Sequence, residues 1–226
     1  MSAPAIFKNV GYDPVKAFAP VAAVFSSPHI LVVNPSVPAK SMQELVAFAK
    51  ANPGKVSYAS PGFSTQPHLL GEMLKLTTGV DIVHVPYKGS APVLTDLIAG
   101  QVQMYFDSAS FLLPHIQSGK VRVLAIADER RLRELPDTPT TVEAGFGKLL
   151  ASYWVGIVVP AGTPPAVIER LNGAINEVIT SKAMEETLAK LVARPRPGTP
   201  QDFAAFMAAE SKKWTETITA ANIKAE

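Results

Sequence analysis

Residues 21–33 run VAAVFSSPHILVV, apolar and β-branched except for an interruption at Ser26-Ser27-Pro28. Proline has no N–H to give to a ladder, so inside a strand pattern it marks an edge or a break. The pattern predicts two strand pieces with a kink, the second at 30–33. Residues 1–20 read as irregular, with Tyr12-Asp13-Pro14 as a turn. Further on, Ser41-Met42-Gln43-Glu44 has the spacing of a capping box, and Leu45, Val46, Phe48 and Ala49 give one helical face that ends near Asn52-Pro53-Gly54. Strands at 56–59, 82–85, 102–106 and 121–127 then alternate with helices at 67–78, 90–99 and 110–118. Four strands alternating with three helices predict a mostly parallel sheet covered by helices, whose loops after the strand C-terminal ends converge on a crevice. Residues 128–151 are a polar excursion with a short helix expected at 140–144. SYWVGIVVP at 152–160 reads as a strand, Thr163-Pro164 as the start of a helix reaching Ile179, and helices near 182–192 and 200–221 close the chain. The last carries Phe203, Phe206, Met207, Trp214 and Ile218 on one face, a stripe that needs packing.

The stretch KVSYASPGFSTQPHLLGE at 55–72 carries the most chemistry. A buried strand that empties into a Gly/Ser/Thr loop and then a helix directs backbone N–H groups and the positive end of the helix dipole at one point, which suits a carboxylate or phosphate. Gly62 allows close approach to the main chain, and Ser60, Ser64 and Thr65 add neutral donors. Phe63 and Tyr87 would wall such a pocket, and the helix is entered through Gln66-Pro67. The plainer alternative is that these residues only turn the chain and cap the helix. Two more loops are expected on the same edge, Tyr87-Lys88-Gly89-Ser90 and Asp107-Ser108-Ala109-Ser110. Asp107 can accept from a ligand amine or hydroxyl, or cap the following helix.

Composition narrows the classes. At 226 residues, 47% hydrophobic and 18% charged, the chain can bury a large core in one large or two modest domains. The net charge of +2 and the single basic cluster Glu129-Arg130-Arg131-Leu132-Arg133 provide no stripe for tracking nucleic acid. There is no cysteine, hence neither a disulfide framework nor a thiolate zinc site. His68 and Glu72 stand four apart, but two potential ligands without a third read as a local pair rather than a metal site. No cofactor is implied, and the common nucleotide and nucleophile motifs are absent. Ser64 and His68 leave a hydrolase or transferase acting on small acids as the enzyme alternative; it would need an orienting carboxylate and an oxyanion hole as well.

Together YDPVKAFAPV, ILVVNPSVPAKS, YASPGFSTQPHLLGEML, GVDIVHVPYKGSAPVLTDLIAGQVQMYFD, LPHIQSGKVRVLAIADERR, LPDTPTTVEAG and WVGIVVPAGTP resemble the solute receptors of tripartite tricarboxylate transporters, the Bug-type extracytoplasmic binding proteins. The resemblance runs through essentially the whole chain. It implies an α/β, two-lobed periplasmic binding protein fold (type II, Venus-flytrap) that holds a small organic acid without catalysis and delivers it to membrane permease subunits. It further implies that the loop 60–66, including Gln66, contributes to the carboxylate pinch and that Ser27, Tyr87 and Asp107 lie near it. Typical members begin with a signal peptide and a βαβαβ stretch that this sequence does not show. The expectation is therefore a complete central lobe at 36–150, a first lobe truncated at the N-terminus and made of 1–35 plus 151–226, and a possible homo-dimer covering the exposed remnant. A ligand-free partner-binding remnant is a further alternative. The resemblance places the protein in the periplasm, whereas the sequence taken as complete has no leader and would stay in the cytoplasm.

Overall fold

A computed structural model describes residues 16–223, so the expected turn at Tyr12-Asp13-Pro14 lies outside the described residues. They fall into two compact units, one of Pro28–Ser152 and one of the residues up to Ser27 together with those from Tyr153 onward. Strand β1 (Phe18–Val33) contributes to both as one continuous element of 16 residues. The expected break at Pro28 does not occur. Phe25 and Ser26 pair with β7 (Arg194–Pro195), and from His29 onward the strand pairs with β4 (Met104–Ser108), so Pro28 falls in neither of these ladders and its missing N–H is not called upon.

The unit Pro28–Ser152 adds, in chain order, α1 (Met42–Ala51), β2 (Val56–Ser60), α2 (Gln66–Thr78), β3 (Ile82–Pro86), α3 (Ser90–Ile98), β4, α4 (Ala109–Gln117) and β5 (Arg122–Ile126). Its sheet order is β3-β2-β4-β1-β5. Strand β2 is parallel to β3 and β4, but β1 is antiparallel to both β4 and β5. The four alternating strands β2, β3, β4 and β5 therefore all run the same way, as the alternation suggested, and β1 alone among the five runs against them. Ile30, Leu31, Val32 and Val33 of β1 are all fully buried, as suits a strand with a ladder on each side and cover on each face.

The parallel set has a direct consequence. Since β2, β3 and β4 run the same way, the loops that follow them emerge at one sheet edge. Helix α2 closes against the sheet through Gly71, where an added Cβ would stand 2.1 Å from the Tyr58 ring. The helix expected at 140–144 is only a set of turns. Thr140 and Glu143 form the reciprocal bonds that begin a helix, Glu143 N–H donating to Thr140 Oγ1 and Thr140 N–H to Glu143 Oε2, but Gly145 at φ 85° ends it at once.

The other unit holds β6 (Ser152–Pro160), α5 (Pro165–Ile179), α6 (Lys182–Lys190), β7 and α7 (Pro200–Ala220). Both β6 and β7 pair with β1, and the two-residue β7 had no periodicity by which sequence could announce it. Trp154 meets Phe203 and Phe206 edge-on, with centroids 5.9 and 5.3 Å apart. Phe203, Trp214 and Ile218 of α7 are buried, which gives part of its apolar stripe the packing it required.

Candidate functional site

The loop after β2 is stitched to the loop after β3 by the main chain: Tyr87 N–H donates to Ser60 O at 2.9 Å and Gly89 N–H to Pro61 O at 3.1 Å. Two of its residues take backbone conformations that L-residues avoid. Gly62 sits at φ 145°, open only to glycine, and Ser64 is left-handed at φ 64°. These angles fold the loop back over its own hydroxyls. Ser60 Oγ donates to Gly62 O at 2.9 Å, Thr65 Oγ1 donates to the same carbonyl at 2.8 Å, and Gly62 N–H returns to Ser60 Oγ at 3.3 Å.

This bonding corrects part of the expected donor set. The Ser60 and Thr65 hydroxyls and the Gly62 amide are engaged inside the loop, where a tight turn satisfies its own polar groups, and the Ser64 amide is taken by His68 of α2, so none of these is open to a ligand. Ser60 is fully buried and serves as scaffold. Among the described residues, no acceptor meets the N–H groups of Phe63, Thr65, Gln66 and His68, and none meets the Ser64 hydroxyl. The remaining donors thus cluster at the start of α2, whose first turn carries no acidic side chain to neutralise its dipole. Pro67 removes one N–H from that turn.

Beneath the loop lies a stack of rings that sequence spacing did not announce. His68 and His84 are parallel, 4.0 Å apart between centroids and tilted by 10°, and Tyr58 lies beside the pair, 4.9 Å from His84 and 6.4 Å from His68. Phe63, 45% exposed, stands edge-on to both imidazoles at 5.7 and 5.3 Å. His68 Nδ1 accepts the Ser64 N–H at 2.9 Å, which requires that nitrogen to be unprotonated. His84 Nε2 lies 2.7 Å from Ser60 Oγ; since the one Ser60 proton goes to Gly62 O, His84 is the donor in that contact. Burial holds both rings below the ordinary histidine range, with His84 down at about 4 through burial first and the neighbouring His68 second.

Among the described residues, Glu72 is the one carboxylate that acts on these rings. It accepts from Tyr58 OH at 2.6 Å and from Lys75 Nζ at 2.9 Å, so the expected local pair with His68 is replaced by a bond across to β2. Burial, and then the bond to Glu72, pushes the Tyr58 phenol far above its usual range. Among the described residues no three His, Asp or Glu side chains gather as metal ligands.

The other anticipated residues divide. Tyr87 lines the second loop, its hydroxyl donating to Asp96 at 2.7 Å and raised to about 12, by burial first and that bond next. Gln66 Oε1 accepts from His29 Nε2 at 2.8 Å, tying the helix start to β1. Asp107 is buried at the end of β4 with its carboxylate engaged by Tyr105 OH and, at 2.7 Å, by Ser108 N–H. The Tyr105 proton goes to Asp107, so Ser90 Oγ donates to the phenol oxygen at 3.1 Å. Ser27 belongs to the other unit; it is 2% exposed, and its hydroxyl has no partner among the described residues. The ring stack, His29 and Tyr105 were missed, for they lie far apart along the chain and only the sheet register brings them together.

A nucleophile would need His68 beside the Ser64 hydroxyl. Instead the Ser64 main chain occupies the basic nitrogen, so the hydrolase alternative lacks its first contact.

The architecture is the α/β periplasmic binding protein fold. A Rhodopseudomonas palustris protein solved with adipate is 32% identical, superimposes with a TM-score of 0.86, and is matched over 98% of this chain and 74% of its own. MatC from the same organism, solved with bound malate, is 29% identical with a TM-score of 0.80, over 96% of this chain and 75% of that one. BugT of Bordetella pertussis is 37% identical over 213 residues, 94% of this chain and 65% of its own length. The tripartite tricarboxylate transporter family receptor model matches residues 1–223, and the chain belongs to that family of non-catalytic solute-binding receptors. It spans about 62 to 65% of the length of the first curated relatives it matches.

Proposed function

We propose that this chain binds a small carboxylate-bearing metabolite at the loop 60–66, as a solute receptor serving a tripartite tricarboxylate transporter. The observation that carries this reading is the set of unclaimed donors at the start of α2: the N–H groups of Phe63, Thr65, Gln66 and His68 and the Ser64 hydroxyl. They offer hydrogen bonds and a positive dipole end without a fixed counter-charge, which favours an anion that must later be released. The exposed Phe63 ring gives an apolar ligand backbone a surface beside those donors. Adipate and malate, held by two relatives, have this combination of acid head and short carbon chain. Ser27, Tyr87 and Asp107 belong to the same reading, Asp107 as the residue that fixes Tyr105 and the start of α4. Receptors of this family are periplasmic, and the reading places this one there, with the permease subunits of the transporter as partners.

Thermal denaturation with adipate and malate tests it, because a ligand of the folded state raises the melting temperature by mass action. One or both acids raise the transition, and Ser64→Ala lowers the affinity about tenfold, the ~1.4 kcal/mol expected of one hydrogen bond to a charged group. Adipate and malate both without effect, or a shift that Ser64→Ala leaves intact, would overturn the reading.

A further inference from the structure

We propose that His68 is the positioning residue of the acid-capturing loop, and that adding a proton to its Nδ1 releases Ser64 and opens the loop, so that ligand capture weakens in acid. This rests on the loop 60–66 being the acid-binding element. The geometry is specific. Ser64 is held in a left-handed conformation, and its N–H donates to His68 Nδ1 at 2.9 Å. A backbone in that region is less comfortable for serine than the ordinary ones and persists only while its surroundings hold it. Here the holding contact is a lone pair on an imidazole.

Protonation places an N–H where the lone pair was, and two donors then face each other. The bond is lost and the contact becomes repulsive, leaving Ser64 free to relax. The Phe63 and Thr65 amides flank Ser64, so the donor cluster disperses with it.

The surroundings determine which charges His68 would meet. On its own helix stand Glu72, which favours the imidazolium, and Lys75, which opposes it. From β3 the parallel His84 ring lies 4.0 Å away, so the stack tolerates at most one cation. From β2 come Tyr58, its phenol donating to Glu72, and Ser60, bonded to His84. From the loop come Phe63 and the Ser64 amide, neither of which can stabilise a proton on Nδ1. Glu72 already accepts from Tyr58 and Lys75, so its help is shared. Burial of the rings, the largest influence on His68, acts against the imidazolium and holds the ring below the ordinary histidine range.

Two measurements on the whole chain decide the matter. In the first, nitrogen-15 resonances of the His68 ring and the Ser64 amide are followed from about pH 8 to 4, without ligand, in the wild type and in His68→Asn, whose side-chain oxygen replaces the Nδ1 acceptor but does not titrate. The Ser64 amide is expected to shift with the His68 midpoint in the wild type and to stay fixed through that range in His68→Asn. In the second, adipate affinity is measured across the same range, and the ratio of wild type to His68→Asn cancels the titration of adipate itself. The ratio is expected to fall at least fivefold below the His68 midpoint. A Ser64 amide that stays fixed while the wild-type His68 ring titrates overturns the proposal, as does an amide that moves equally in the variant or an affinity ratio that stays flat. Adipate binding to neither protein at pH 8 counts against the binding reading alone, and the ligand-free resonances still decide whether His68 controls the loop.

Discussion

Strands β2 and β6 look alike as sequence, VSYAS and SYWVGIVVP, yet they live in different surroundings. In the unit Pro28–Ser152, Val56, Tyr58, Ala59 and Ser60 are buried under α2 and between two neighbouring strands. In the other unit no residue of β6 is buried, and Tyr153, Ile157 and Val158 are more than a third exposed. The helices follow suit: α2 buries eight residues, whereas α5 buries only Ile179 and leaves Val167, Leu171 and Val178 in the open. Hydrophobic pattern therefore specifies that a strand or helix forms and which side is apolar; it does not specify how much lies over that side. Cover, not composition, determines how rigidly each unit can hold a functional group.

Two glycines sharpen the contrast most. At both Gly71 and Gly156 an added Cβ would stand 2.1 Å from an aromatic ring, Tyr58 in one case and Phe203 in the other. Tyr58 is anchored by Glu72 and fully buried, so Gly71→Ala should cost about 3 kcal/mol. Phe203 has the partly open Phe206 and Trp154 beside it, and Gly156→Ala should cost about 1–2 kcal/mol. Denaturant titration of both variants measures the difference; equal losses would show that the two units are packed to the same stiffness.

Acid should act unevenly as well. His84 in the folded chain titrates near 4 because burial and His68 disfavour its cation, whereas an unfolded histidine takes its proton near 6.5. The contribution of the neutral ring is complete above about 6.5, and it declines as pH falls toward 4, where the unfolded chain binds a proton that the folded one refuses. After allowance for solvent screening, the loss is on the order of 1–2 kcal/mol. Denaturant titrations at pH 7 and 4.5, repeated in His84→Gln, should show the wild type losing more than the variant, and an identical loss would remove His84 as the cause.

The smallest effect belongs to the open faces. Val178 is 53% exposed, so Val178→Lys should alter stability by less than about 0.5 kcal/mol. A larger loss in the same denaturant titration would mean that this face is covered in solution.

Much of the fold was legible because it is written locally. The β2-loop-α2 unit follows from a short strand-forming stretch at 56–59, a Gly/Ser/Thr turn and Pro67, and the capped start of α1 follows from Ser41 and Glu44. What was not legible depends on partners distant in the chain. Nothing near Pro28 reveals that β1 changes ladders there, since β7 and β4 lie far along the chain. At the site, the hydroxyls of Ser60 and Thr65 were readable as donors, but their acceptor was not: both converge on Gly62 O. His84 looked like an ordinary strand residue until the β2–β3 register set it opposite Tyr58 and beside His68.

The left-handed Ser64 resembles a latch kept under tension. Glycine there would ease the main chain but surrender the hydroxyl and widen the range of shapes the turn can sample, exchanging a shaped grip for a slack one. Anyone redesigning this protein for endurance would be drawn to relax that position first, and would thereby blunt the tool while strengthening its handle.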